Sequence, residues 1–269
     1  MSSWLGWSWL RCRSTALPLV LAAVALSGCA GSSRRPELAE RTPTQRAAAF
    51  ERAADDVSGQ GSDDAVAERL YRRALADKPN SATARVGLGR LLLRHGDIGG
   101  ARALFERAAE LAPRDGRPVV GLAEVALAQH GPQLALTYYA RALRLAPNLT
   151  SALNGTGVAL DQPGRHDEAQ ARYRYVLSRD PNDRPARNNL GLSLALSGRA
   201  PEAVAVLSSL ARAPDAHPRN RQNLAVALAL LGQNSDAVAT ASLDEPRAQA
   251  RADVAMISVL RQGIGPSIR

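Results

Sequence analysis

The feature that most constrains this chain is a spacing of 34 residues. Gly157 and Gly191 stand 34 apart, and Gly89 lies twice that distance before Gly157. Around them the same offsets return: Leu88, Leu122, Leu190 and Leu224 each precede a small residue, namely Gly89, Ala123, Gly191 and Ala225. Gly96, Gly164, Gly198 and Gly232 recur where a helix must end, because glycine reaches the left-handed cap conformation at no steric cost. Ala67, Ala101, Ala135, Ala169, Ala203 and Ala237 then mark a close helix crossing, followed four residues later by Tyr71, Phe105, Tyr139, Tyr173 and Leu207. Pro79, Pro113, Pro147 and Pro181 close the units. Alanine is the commonest residue, 51 of 269, while aromatic residues make up 4%, so the apolar content is mostly small side chains that favour helices and let them approach closely.

The combination of Leu-Gly, Ala-x3-Phe and Pro at this period resembles the tetratricopeptide repeat, a pair of antiparallel helices. It implies an all-α fold, a right-handed superhelix (solenoid) of helix-turn-helix repeats with a C-terminal capping helix. Six frames follow: 48–81, 82–115, 116–149, 150–183, 184–217 and 218–251. No single unit can bury its apolar face alone, so neighbours must stack. The first frame lacks the Leu-Gly pair, offering Ala54-Asp55, and the pattern gives its first helix little support. The third frame puts His130 where glycine is expected, and the fifth replaces the closing proline by the longer joint Pro214-Asp215-Ala216-His217-Pro218. Asp244-Glu245-Pro246 suits a helix start, and beyond it Val254, Ile257 and Leu260 form one stripe, predicting that 252–269 covers the open end of the stack.

The first 28 residues read as an address. Arg11 and Arg13, with no acid, precede the apolar run Thr15 to Leu26, which is shorter than the ~20 residues a membrane-spanning helix needs but suits an export signal. Leu26-Ser27-Gly28-Cys29 resembles the lipobox of bacterial lipoproteins, which implies cleavage before Cys29 and lipidation of that cysteine; an ordinary signal peptide with an incidental cysteine is the alternative. Cys12 falls in the discarded part, so the mature chain keeps no partner for a disulfide. Ala30 stands where lipoproteins held in the inner membrane commonly have aspartate, and the resemblance therefore points to an outer-membrane lipoprotein facing the periplasm. Residues 29–47 are expected to form the lipidated terminus and a polar tether.

Catalytic signals are missing. Lys78 is the only lysine, which excludes a Walker-type phosphate loop. His95, His130, His166 and His217 occupy unrelated repeat positions without cysteine companions and read as solvated turn residues, so no metal site is expected. Gly155-Thr156-Gly157 falls inside a helix with no preceding strand, and the acid pairs Asp63-Asp64 and Asp167-Glu168 open second helices, where they complement the helix dipole. Without the signal, 32 basic residues face 25 acidic ones, interleaved as on a solvated helix face, which argues against nucleic acid as partner. No cofactor, small-molecule substrate or enzymatic activity is expected; an envelope enzyme would need a nucleophile and base brought together across repeats.

What remains is the inner wall. In tetratricopeptide arrays the first helices line the concave face, and the inward positions here supply Arg90, Arg94 and Arg117, then Asn154 and Val158, Asn188 and Leu192, and Arg219, Gln222 and Val226. This predicts a cationic N-terminal half and an apolar floor edged by amides in the C-terminal half, suited to a peptide segment whose backbone the amides would bond.

Arg187-Asn188-Asn189-Leu190-Gly191-Leu192-Ser193-Leu194-Ala195, followed one repeat later by Pro218-Arg219-Asn220-Arg221-Gln222-Asn223-Leu224-Ala225, resembles the TadD family of tetratricopeptide lipoproteins of the tight-adherence (Flp) pilus machinery. That resemblance implies a pilotin or assembly scaffold whose protein partner is the secretin or another pilus or secretion subunit, held at the membrane by the lipid anchor. A general envelope adaptor unrelated to pili is the other reading.

Overall fold

The computed structural model describes residues 42–59 and 63–263. Cys29, the signal and the tether up to residue 41 lie outside the described residues. The described chain is all-helical, with no strand: α1 (Pro43–Gly59), α2 (Asp64–Asp77), α3 (Ala82–Arg94), α4 (Ile98–Leu111), α5 (Gly116–Ala128), α6 (Pro132–Leu145), α7 (Thr150–Asp161), α8 (His166–Arg179), α9 (Arg184–Leu196), α10 (Ala200–Ala211), α11 (Pro218–Leu231), α12 (Asn234–Ala241) and α13 (Arg247–Gly263). Helix starts recur at the sequence period: second helices open at 64, 98, 132, 166, 200 and 234.

Local chemistry sets these boundaries. Asp63, Ser81, Asp97, Asp115 and Asp183 each accept a backbone N–H of the following turn with the side chain, satisfying donors that the helix itself leaves unpaired. Pro79, Pro113, Pro147 and Pro181 each follow the C-cap residue of a second helix directly, where proline prevents the helix continuing. Gly96, Gly164, Gly198 and Gly232 have φ of 82° to 90°, and His130 takes the same left-handed place with φ of 56°.

Two expectations about the ends are corrected. The first helix does form, and it begins at Pro43, inside the segment expected to be tether. Ala47 and Ala54 are buried and Phe50 and Val57 pack beside them, so a helical apolar stripe replaces the missing Leu-Gly pair. At the other end the last helix begins at Arg247, directly after Asp244-Glu245-Pro246 as that sequence suggests, and so before the 252 boundary expected for the capping segment. Val254 is buried and Ile257 packs against the core, but Leu260 is 59% exposed, because the eight-residue α12 is too short to back the outer turns of α13.

Curvature follows from which helices touch. Each first helix contacts the next one along the series α1, α3, α5, α7, α9, α11 and α13, whereas no two of α2, α4, α6, α8, α10 and α12 meet. The odd helices are therefore crowded on the inner side of the solenoid and the even helices splayed on the outer side.

The crowding depends on glycine opposite large rings. Phe105, fully buried, lies between two glycines: a Cβ on Gly121 would fall 2.4 Å from its ring, and one on Gly89 2.7 Å from it. Tyr139 faces Gly155 and Tyr173 faces Gly157 in the same way. The Gly155-Thr156-Gly157 string is thus helical packing, with Thr156 returning its hydroxyl to the Ala152 carbonyl.

Candidate binding groove

Two cavities open on the odd-helix side. The first, about 340 Å³, is lined by Asp55 and Ser58 of α1, Tyr71 of α2, Thr83, Val86, Gly87 and Arg90 of α3, and Arg117 of α5. The second, about 450 Å³, lies between α5, α6, α7 and the start of α9; Glu124, Tyr139, Ser151, Asn154, Val158 and Pro185 contribute to it.

The first cavity contains cations, as expected, but its charges are answered from within the protein. Arg117 forks onto both carboxylate oxygens of Asp115, at 2.7 to 3.1 Å. Burial works against the charged carboxylate, yet the Arg117 guanidinium and backbone N–H hold Asp115 below the usual range, while the same pairing raises Arg117. Arg94 donates to Asp64 at 2.5 Å and to Ser58 at 3.1 Å, and its hydrogen bond is the main reason Asp64 titrates low; His95 also reaches Asp64, at 3.1 Å. Tyr71 donates to Asp55, and burial together with that contact raises its phenol. Arg90 has a looser ion pair, 3.9 Å from Glu124. The surplus of positive charge predicted for this half of the groove is therefore answered locally, a correction to the sequence reading: Asp115 caps the helix that carries Arg117, and Asp64 reaches Arg94 from the neighbouring helix.

Amides are the second correction. Asn188 is buried, 5% exposed, and does not present its amide to a ligand. It accepts from Asn223 at 3.0 Å and approaches Asn189 at 3.5 Å, and Asn189 donates to Asn154 at 3.2 Å. One chain of side-chain amides thereby joins α11, α9 and α7 and satisfies the polar groups their close approach would otherwise strand. Asn154 keeps a place in the wall of the second cavity together with Val158. Leu192 and Val226 are partly exposed, and Arg219 and Gln222 are exposed; none of the four lines either cavity.

Sequence positions alone under-weighted Glu124. It is about one-third exposed, its nearest cation is the 3.9 Å Arg90, and burial raises its carboxyl while Arg90 opposes that rise. Thr150, Ser151, Asp183 and Pro185, also in this wall, sit at helix starts, one turn before the positions used to predict inward residues. Buried Tyr139 forms the floor, its phenol raised chiefly by burial.

The histidines are not uniformly solvated turns. His166 opens α8, partly buried, with Nδ1 2.8 Å from Asp161; Asp161 also accepts from Tyr173 at 2.9 Å and Ser193 at 2.6 Å, tying α7, α8 and α9. His217 caps α11 through the Arg219 N–H. Among the described residues, no group of three His, Cys, Asp or Glu side chains is arranged to hold a metal ion, and no helix is long and apolar enough to cross a membrane.

A family model described as tetratricopeptide repeat matches residues 60–116, 120–169 and 160–218, more than half the chain. TTC0263, a thermophilic tetratricopeptide protein of Thermus thermophilus, is 22% identical over 68% of this chain and 98% of its own, with a TM-score of 0.61. The Cut9-Hcn1 structure of the APC/C is 16% identical over 81% of this chain, with a TM-score of 0.67; the match spans 44% of that chain. YrrB, whose structure is described as having an unusual peptide-binding site, is 28% identical over 59% of this chain and 81% of its own, with a TM-score of 0.39. No curated protein matches the sequence.

Proposed function

This chain belongs to the tetratricopeptide repeat family, and we propose that it is a non-enzymatic scaffold that holds a segment of a partner protein against the inner faces of its first helices. Members of the family mediate protein–protein or peptide binding. The observation that carries the reading is the position of the two cavities, both on the side where odd helices converge, so that an extended or helical segment laid along the groove would meet both. The inner wall offers hydroxyls, one amide, apolar side chains and ion pairs able to exchange partners, a surface for recognition rather than bond-making.

We further propose that the chain works at the outer membrane, anchored through Cys29 and facing the periplasm, and assists assembly of a Flp pilus secretin as a pilotin or scaffold. The lipobox-like Leu26-Ser27-Gly28-Cys29 and the Asn-rich α9 and α11 segments support this reading. A general envelope adaptor, favoured by the tetratricopeptide pattern without regard to the signature, is the second reading. A crosslinked pulldown from outer-membrane fractions distinguishes them, with Cys29→Ser as comparison. Recovery of a secretin with the wild type, and its loss with Cys29→Ser, is the expected result. Recovery of envelope proteins without any secretin would reject the pilus role and leave the adaptor.

A further inference from the structure

The two cavities differ in what they lack. In the first, Arg117 is paired with Asp115 and Asp55 accepts from Tyr71, so its charged groups are engaged within the protein apart from Arg90, which is held only loosely. The second has no basic side chain in its lining. Its polar wall is Glu124, Asp183, Thr150, Ser151 and Asn154, and the rest is Leu127, Val158, Pro185, the Tyr139 edge and the Gly155 backbone. Asp183 spends one oxygen on the Ala186 N–H at 2.7 Å as a helix cap. Asn154 spends its carbonyl on Asn189. Glu124 is the group left over: its one ion pair is the 3.9 Å approach of Arg90 from the rim, too long for a hydrogen bond.

Such a lining has an acidic end and an apolar passage. An aliphatic stem fits against Leu127, Val158 and Pro185, and a cation at its tip meets a carboxylate inside a partly desolvated wall, where the attraction is stronger than in open water. At about 450 Å³ the space exceeds that of one long side chain and leaves room for flanking backbone, whose N–H groups would face the Thr150 and Ser151 hydroxyls. An acidic or purely apolar side chain would instead strand Glu124 further from water without a partner, a penalty that discriminates against it.

We propose that this cavity is a specificity pocket for a lysine or arginine side chain of the bound polypeptide, with Glu124 as the recognising carboxylate. The inference rests on the groove reading above and adds to it the chemistry of one ligand residue. Release of the weak Arg90 contact accompanies entry, as Glu124 exchanges a distant cation for a hydrogen-bonded one.

The test uses the full chain, purified in detergent and immobilised, in a selection of random twelve-residue peptides displayed on phage. Wild type, Glu124→Gln and, as a control on the outer helix α4, Glu106→Gln are selected in parallel, with thermal unfolding followed by circular dichroism to verify that each is folded. Wild type and Glu106→Gln are expected to enrich peptides with a basic residue at one fixed position, and Glu124→Gln to lose that enrichment. For the strongest synthetic peptide, replacing its basic residue by norleucine is expected to weaken binding to wild type about tenfold and to leave binding to Glu124→Gln nearly unchanged. Peptides selected without a basic position, or a norleucine penalty of equal size in Glu124→Gln, overturn the pocket while keeping the groove. Selection of no peptide at all overturns the groove and the pocket together.

Discussion

Replacing Gly121 by alanine probes the packing on which the inner curve depends. The added Cβ would lie 2.4 Å from both Cδ1 and Cε1 of Phe105 and 2.6 Å from Cγ, where carbon contacts are ordinarily ~3.5–4.0 Å. The ring must move by about 1 Å in a fully buried site that Gly89 of the preceding first helix also borders, where a Cβ would lie 2.7 Å from the same Cε1. Overpacking of this kind costs roughly 1–3 kcal/mol. Alanine returns about 0.8–1 kcal/mol of helix propensity, so the net loss is about 0–2 kcal/mol, toward the upper end for a ring this confined. For an array of this size each kcal/mol lowers Tm by ~2–4 °C. Gly99→Ala is the control: its Cβ meets only Asp97 Oδ1, at 3.9 Å, and Tm should stay level or rise. Phe105→Ala provides the sharper comparison. It costs ~3–5 kcal/mol by itself, but in its background Gly121→Ala should change sign and stabilise, because the methyl then fills space instead of striking a ring. The assay is thermal and urea unfolding by circular dichroism on the four variants. A Gly121→Ala effect of the same sign and size with and without the ring would refute the reasoning.

Three further outcomes follow from other contacts. Asn223→Ala leaves the buried Asn188 carbonyl without its 3.0 Å donor, and urea unfolding should register a loss of about 1–3 kcal/mol, much of it absent when Asn188→Ala is already in place. His130→Gly relieves a left-handed residue at φ 56° and should raise Tm, by up to about 1 kcal/mol of stability, whereas Gly198→Ala, at φ 82°, should lower it. Arg221 grips Asp244 with two hydrogen bonds of 2.5 and 2.6 Å between α11 and the turn that leads into α13, and that pairing holds the carboxyl below its ordinary value. A carboxyl depressed in the folded state stabilises above the unfolded pKa of ~3.9 and stops doing so as pH falls through the lower folded value. Acid unfolding of wild type against Asp244→Asn should therefore differ at neutral pH and converge as pH falls through the carboxyl's lowered folded value, and curves separated equally at every pH would remove the ion pair as cause.

The fold was legible because a solenoid repeats its reasons. Leucine before glycine, alanine at the crossing, a ring four residues on and a cap glycine all recur at one period, and each instance supports the others. His130 shows how local the remaining freedom is: the cap position dictated a left-handed backbone even where the residue was not glycine. The site was only partly legible. Repeat position identified the inward-facing helices, but not which side chains were already engaged. Arg94 finds Asp64 thirty residues earlier, while Asn188 finds Asn223 thirty-five residues later, one step out of the 34-residue register. Those pairings turned predicted ligand contacts into internal ones. Glu124, whose ion pair reaches across to the preceding first helix, became conspicuous only once the cavity beside it was seen to hold no other cation.

The central claim is that the inner wall, and not the outer one, holds a polypeptide. A photo-crosslinking amino acid placed in living cells at Val158, in the second cavity, and separately at Arg172, exposed on the outer helix α8, tests it most directly. Protein adducts are expected from position 158 and none from position 172, with the position 158 adduct competed away by the peptide selected on wild-type chain. Adducts formed equally at both positions, or only at 172, would contradict it.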